Sequence, residues 1–197
     1  MLRECVSAEA HWNHLRSSPG WKTPSNRNID SNRTLTRLMK IREATADDAE
    51  SISKLASEFH RYLAALGDPT SFHFNAETYR RDGFGENPAF LAIVAELEDK
   101  VVGYLIFHFG YDIDHSRRLV YVVDLYVDEA YRRRGIGKAL MIHVGEAARA
   151  HGATSLWWGV YERNESARGF YESLGARYVK GVHFMSINVE ALSGEST

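Results

Sequence analysis

The chain has 197 residues, 44% of them hydrophobic, and a formal net charge of −2. That length suits one domain with a substantial core, and the near balance of charge gives no general polyanion-binding signature, so nucleic acid is not an expected partner. No apolar run reaches membrane-spanning length, the single cysteine, Cys5, excludes an internal disulfide, and the nine histidines fall in no tight metal-ligand spacing.

Residues 1–38 differ from the remainder. They are rich in Ser, Asn and Arg, and hold six Lys and Arg against three Asp and Glu; residues 39–197 hold 18 against 23. Without a sustained apolar period, this stretch reads as a disordered extension or as residues ahead of a start at Met39. It has no apolar central run for secretion, and Glu4, Glu9 and Asp30 argue against a transit peptide, so a cytoplasmic protein is expected.

A mixed α/β domain is expected over residues 39–192, with 193–197 as a short tail. Residues 40–43 read as a strand. Thr45 with Asp47 and Asp48 offers a helix cap, and Ile52, Leu55, Phe59, Tyr62 and Leu63 follow at helical spacing. Gly67-Asp68-Pro69 ends that helix, and a second, carrying Tyr79, begins near Asn75. Residues 88–96 and 101–110 read as a hairpin turning at Glu98-Asp99-Lys100. Residues 111–118 read as a polar loop and 119–127 as the next strand. A helix is expected over 135–150, with Ile136, Leu140 and Val144 on one face. Residues 155–161 read as a strand, Asn164 as the cap of a short helix, and 177–180 and 183–189 as strands that close the sheet.

The chemistry is carried by Arg132-Arg133-Arg134-Gly135-Ile136-Gly137-Lys138, placed between a strand and a helix start. Helix-start N–H groups and the helix dipole favour an anion, and glycine lets the backbone approach a phosphate. By itself the hexapeptide Arg132-x-x-Gly135-x-Gly137 fits a glycine-capped basic turn as well as a pyrophosphate cradle. A second motif, Asn164-x-x-Ala167-x-x-Phe170-Tyr171-x-x-x-Gly175-Ala176, follows it.

In this order and at this spacing, the two motifs resemble the signatures of the GNAT N-acetyltransferase superfamily, over roughly residues 39–189. The spermidine/spermine and diamine acetyltransferases are the nearest branch. The resemblance implies a mixed, mostly antiparallel sheet splayed between strands 4 and 5. It implies acetyl-CoA as co-substrate and a homodimer that transfers acetyl to a primary amine in a ternary complex. A small cationic amine is the expected acceptor, with a peptide acetyltransferase or a non-catalytic acyl-CoA-binding domain as alternatives.

Residue by residue, the resemblance assigns the pantetheine arm to the backbone of Leu125, Tyr126 and Val127, with Asn164 and Ala167. It assigns the pyrophosphate to residues 132–138. Tyr171 is the expected general acid, since a phenol of pKa about 10 can protonate a leaving thiolate of pKa about 8.5. Relatives often carry Glu where this chain has Val123. That leaves the base open among Asp124, Glu162 relaying through water, and bulk solvent; Asp124 reads equally as a structural acceptor or an amine anchor, and Trp157 and Glu162 are candidates for the acceptor side. Phe72, Phe74, Tyr79 and Phe84 are candidates for a pocket wall or for core packing.

Overall fold

The structure, a computed structural model, describes residues 39–187. The expected extension 1–38, the end of the last expected strand and the tail lie outside the described residues. The chain divides into two compact units, one ending at Asn164 and one beginning at Glu165.

In the first unit, β1 (Met39–Glu43) leads through a 3-10 turn (Ala46–Asp48) into α1 (Ala49–Ala65). Next come α2 (Ala76–Phe84), β2 (Leu91–Leu97), β3 (Lys100–Asp112) and β4 (Arg117–Val127). A 3-10 turn (Glu129–Tyr131) feeds α3 (Ile136–Ala150), and β5 (Ala153–Trp157) follows. The sheet order is β1-β2-β3-β4-β5, antiparallel except for the parallel β4–β5 pair.

Local chemistry sets these boundaries. Asn75 Oδ1 accepts from the Thr78 amide at 3.0 Å while Thr78 Oγ1 accepts from the Asn75 amide at 2.9 Å. This reciprocal cap starts α2 where the sequence placed it. Before α1, the Thr45 amide donates to Asp48 Oδ2 at 2.7 Å. The β2–β3 turn puts Glu98 and Asp99 at φ 51° and 60°, the left-handed pair that matches the twist of a two-residue hairpin.

The loop expected over 111–118 is shorter than the sequence suggests. Strands run to Asp112 and from Arg117 because the Asp112 carboxylate closes the turn. It accepts from His115 Nδ1 at 2.9 Å, from Arg117 Nε at 2.9 Å and from the His115 amide at 3.3 Å. The strand expected over 155–161 instead spans Ala153–Trp157.

Two layers of core form on the sheet. On one face Ile52, Leu55 and Ala56 of α1 and Tyr79 of α2 pack with Ala92, Val94, Tyr104, Ile106 and Tyr126. Residues of opposite parity, such as Ile93, Leu105 and Phe107, are fully buried as well, and α3 packs on this sheet through Ile136, Leu140 and Val144. A sheet covered on both faces explains why β2 and β3 read as continuous apolar runs rather than alternating ones.

In the second unit, α4 (Glu165–Ser173) is followed by irregular chain. The closing strands expected at 177–180 and from 183 are not present among the described residues. Tyr178, Val179, Val182, Phe184, Met185 and Ile187 are each more than half exposed. Among the described residues this segment pairs with no strand of the sheet, and a β-strand forms only against a neighbouring one.

Candidate active site

Two irregularities in β4 build the site. The first is a bulge. Ile106 of β3 stands opposite Asp124 while the next residue, Phe107, stands opposite Val122, so Val123 has no partner. A bulge bends its strand and re-aims the side chains beside it. Val123 turns outward, 54% exposed, and the alternation changes phase. Tyr121 and Asp124 therefore come to lie on one face of the sheet, opposite His108 and Ile106.

The second irregularity is the end of the parallel pairing. β5 pairs with β4 from Arg118–Ala153 to Tyr121–Trp157 and stops, although β4 continues for the six residues 122–127. Leu125, Tyr126 and Val127 pair with Leu105, Tyr104 and Gly103 on their β3 side and, among the described residues, with no strand on the other. This is the splay that the resemblance implied. At its far end the strands approach closely, since a Cβ on Gly103 would lie 3.0 Å from the Tyr126 carbonyl oxygen.

Asp124 is half-buried at the root of the splay. Its Oδ2 accepts from the Tyr104 hydroxyl at 2.5 Å, and among the described residues no cation forms an ion pair with it. Burial pushes its carboxyl up to about 6, against the opposing effects of the Tyr104 hydroxyl and the Leu125 amide. Tyr104 itself is held well above the usual phenol range, first by burial and then by the Asp124 charge.

The basic loop follows. Arg133 has φ 59° and Gly135 φ 82°, so the chain turns through the left-handed region twice before α3. Glycine adopts this region freely, whereas for arginine it costs about 1 kcal/mol. No side chain caps α3, and the first helical amide to find a backbone acceptor is that of Ala139, on Gly135 O at 3.0 Å. The amides of Ile136, Gly137 and Lys138 thus stand at an uncapped helix start, and this donor set fits a pyrophosphate. Ile136 sends its side chain into the core while Arg133, Arg134 and Lys138 are exposed.

Arg132 faces inward instead. Its guanidinium lies 5.3 Å from the centre of the Tyr62 ring and 5.1 Å from that of Tyr126, and its Nε donates to Val127 O at 3.0 Å. The Tyr62 hydroxyl donates to Oδ1 of buried Asn164 at 3.0 Å. One chain of contacts therefore joins the basic loop, the end of β4, α1 and the first residue of the second motif. The sequence showed Tyr62 only as part of an apolar helix face. The signal available for Tyr104 was a phenol inside an apolar strand, whose hydroxyl must find a partner when buried.

Trp157 ends β5 opposite Tyr121 and is half-buried, and Glu162 is exposed. In the second unit Ala167 and Tyr171 are half-buried on α4, with the Tyr171 ring 5.1 Å from that of Phe170. Phe72, Phe74, Tyr79 and Phe84 pack on one another and on the α1 core, which favours their role as packing residues. No group of three or more metal-ligating side chains occurs among the described residues. No helix among them is long and apolar enough to cross a membrane.

Comparison with known proteins agrees with this fold. The profile of the acetyltransferase (GNAT) family matches residues 50–176. Thialysine N-epsilon-acetyltransferase of Bos taurus is 33% identical over 166 residues, which cover 79% of this chain and 95% of the bovine protein. Spermidine/spermine N(1)-acetyltransferase-like protein 1 of Homo sapiens is 30% identical over 164 residues, covering 78% of this chain and 23% of the human one. A solved structure of a tetramutant of the BH1408 protein from Bacillus halodurans superposes with a TM-score of 0.65 at 28% identity, covering 75% of this chain and 99% of that one. An uncapped basic loop after a splayed fourth strand and a match over most of the chain lead to one conclusion: the protein belongs to the GNAT acetyltransferase family and is an N-acetyltransferase.

Proposed function

We propose that this enzyme moves the acetyl group of acetyl-CoA to the primary amine of a small cationic acceptor, of the polyamine, diamine or basic amino acid kind. The observation that carries this reading is Asp124, a half-buried carboxylate at the root of the splay, held by a phenol and paired with no cation among the described residues. A carboxylate so placed favours an ammonium group. The names of the bovine and human relatives, thialysine and spermidine/spermine acetyltransferases, point to the same acceptor chemistry.

Acetyl-CoA is held by backbone more than by side chains. The amides of residues 133–138 donate to its pyrophosphate, each charge-assisted bond contributing roughly 1.5–3 kcal/mol. The open side of Leu125, Tyr126 and Val127, with Asn164 and Ala167, takes the pantetheine arm. Because Arg132 already occupies Val127 O, its contribution is the shape of the loop.

The acceptor arrives as an ammonium ion of pKa near 10.4, and freeing its lone pair at neutral pH costs about 4–5 kcal/mol. Asp124 accepts that proton, directly or through water; a carboxyl near 6 is a better base at neutral pH than an ordinary aspartate. The free amine attacks the thioester carbonyl carbon, the C–N bond forms and the C–S bond breaks; the Tyr171 phenol protonates the departing thiolate, and the proton that the nitrogen loses as the amide forms returns to the Tyr171 phenolate through water. The role of Tyr171 rests on its place in the second motif. Trp157 and Glu162 complete the acceptor side, and a cytoplasmic homodimer belongs to the same reading.

A thiol-release assay with acetyl-CoA tests the substrate class directly. Spermidine, putrescine, ornithine and thialysine are expected to turn over faster than a neutral tetrapeptide with a free N-terminus. Turnover of the peptide alone would overturn the reading.

A further inference from the structure

The phenol beside the proposed base has no assigned role. Tyr104 lies in the middle of β3, fully buried, with its ring directly opposite Tyr126 and its hydroxyl turned toward the neighbouring residue pair. Packing alone would be met by phenylalanine in this apolar layer. The hydroxyl instead donates to Asp124 Oδ2.

We propose that Tyr104 is the positioning residue for Asp124, fixing the rotation of its carboxyl group at the bulge and keeping it ionised for the acceptor amine. This rests on the reading of Asp124 given above. The bulge makes such a residue necessary: it displaces β4 by one position just before Asp124, so the strand ladder alone does not dictate where that carboxylate points. A hydrogen bond to one oxygen of a carboxylate sets its plane, and rigid support of a reactive group is worth much of its effect.

The surroundings leave this duty to Tyr104. On its own strand Asp124 is met by the Leu125 amide. His108 and Tyr121, stacked at 5.4 Å, stand on the same sheet face beyond the bulge. Glu58 of α1 and Arg132 act on Tyr126. No charged side chain of α1, α2 or α3 is hydrogen-bonded to Asp124 among the described residues. The Tyr104 donor is therefore the main force opposing the effect of burial on this carboxyl.

The test is the titration of the Asp124 carboxyl carbon by NMR in the full-length, acceptor-free enzyme, assigned by its loss in Asp124→Asn. The wild-type carbon is expected to titrate near 6. In Tyr104→Phe the midpoint moves up by about one pH unit, the size expected for one hydrogen bond to a charged group. The acid limb of kcat/KM for spermidine moves with it, a loss of about fivefold at pH 6 and little above pH 8. A purely structural role would lower activity at all pH values alike. If Tyr104→Phe does not fold, 3-fluorotyrosine at position 104 keeps the ring and strengthens the donor, and the midpoint then moves down. An unchanged midpoint in either protein overturns the proposal. Full activity of Asp124→Asn would instead overturn the reading of Asp124 as base, and the titration keeps the two failures apart.

Discussion

Asp48 and Asp124 are the same residue type in two regions of the first unit, and they are held in opposite ways. Asp48, at the start of α1, is gripped on both oxygens by the Arg42 guanidinium at 2.8 Å, while Arg42 Nε holds Glu96 at 2.7 Å. Asp124, at the bulge of β4, meets a phenol and no cation. Burial raises the pKa of both. At Asp48 the hydrogen bonds of Arg42 and Thr45 outweigh it and hold the carboxyl below the ordinary range; at Asp124 burial wins and the carboxyl stands at about 6. The pairing partner, not the depth, separates a carboxylate that locks a fold from one that remains available for chemistry.

The contrast is sharpest in substitutions. Asp124→Asn keeps an acceptor for the Tyr104 hydroxyl and removes the proposed base, so kcat/KM for a polyamine is expected to fall by about 10²- to 10⁴-fold with little change in fold; a loss below threefold would break the comparison. Arg42→Ala strands Asp48 and Glu96 without their cation. Chemical denaturation is expected to show about 3 kcal/mol of lost stability, with kcat near wild type in the folded fraction.

Stability against pH separates the two residues by sign. Asp124 has a raised folded pKa, so its ionisation opposes folding, an effect that grows as pH rises from about 4 through 6. Asp48 has a lowered one, so its contribution is present above about pH 4 and is lost as pH falls below that. Asp124→Asn should therefore gain about 1–2 kcal/mol at pH 8 and nothing at pH 4, read from urea melts at the two pH values. A gain of equal size at both would show that the carboxylate is not strained by burial.

The two arginines repeat the comparison more weakly. Arg42 sits between carboxylates, whereas Arg132 sits between two aromatic rings and a carbonyl. Arg132→Ala is expected to weaken acetyl-CoA binding about tenfold through the shape of the loop, an effect insensitive to salt. Arg133→Ala, at an exposed side chain, should give a smaller loss that fades as salt is raised. Calorimetric titrations at two salt concentrations distinguish these outcomes.

Much of this was legible in the sequence because it is local. The Asn75 cap, the basic loop and the second motif are each complete within a few residues. The bulge was not, because Val122-Val123-Asp124 shows no break in composition, and only pairing with Ile106 and Phe107 reveals the extra residue. Contacts between distant residues were equally hidden. The packing of Arg132 against Tyr62, 70 positions earlier, and against Tyr126 leaves no local mark in the chain. The strands expected from Arg177 onward failed for the converse reason: an apolar, β-branched composition is present, yet among the described residues no strand of the sheet pairs with it.

The central claim is that Asp124 takes the proton from the acceptor amine. Its most direct test is kcat/KM against pH for spermidine in the wild-type enzyme and in Asp124→Asn. The account predicts a wild-type profile that rises through an apparent pKa near 6, and a variant whose residual activity lacks that limb. The same limb in both proteins would contradict it.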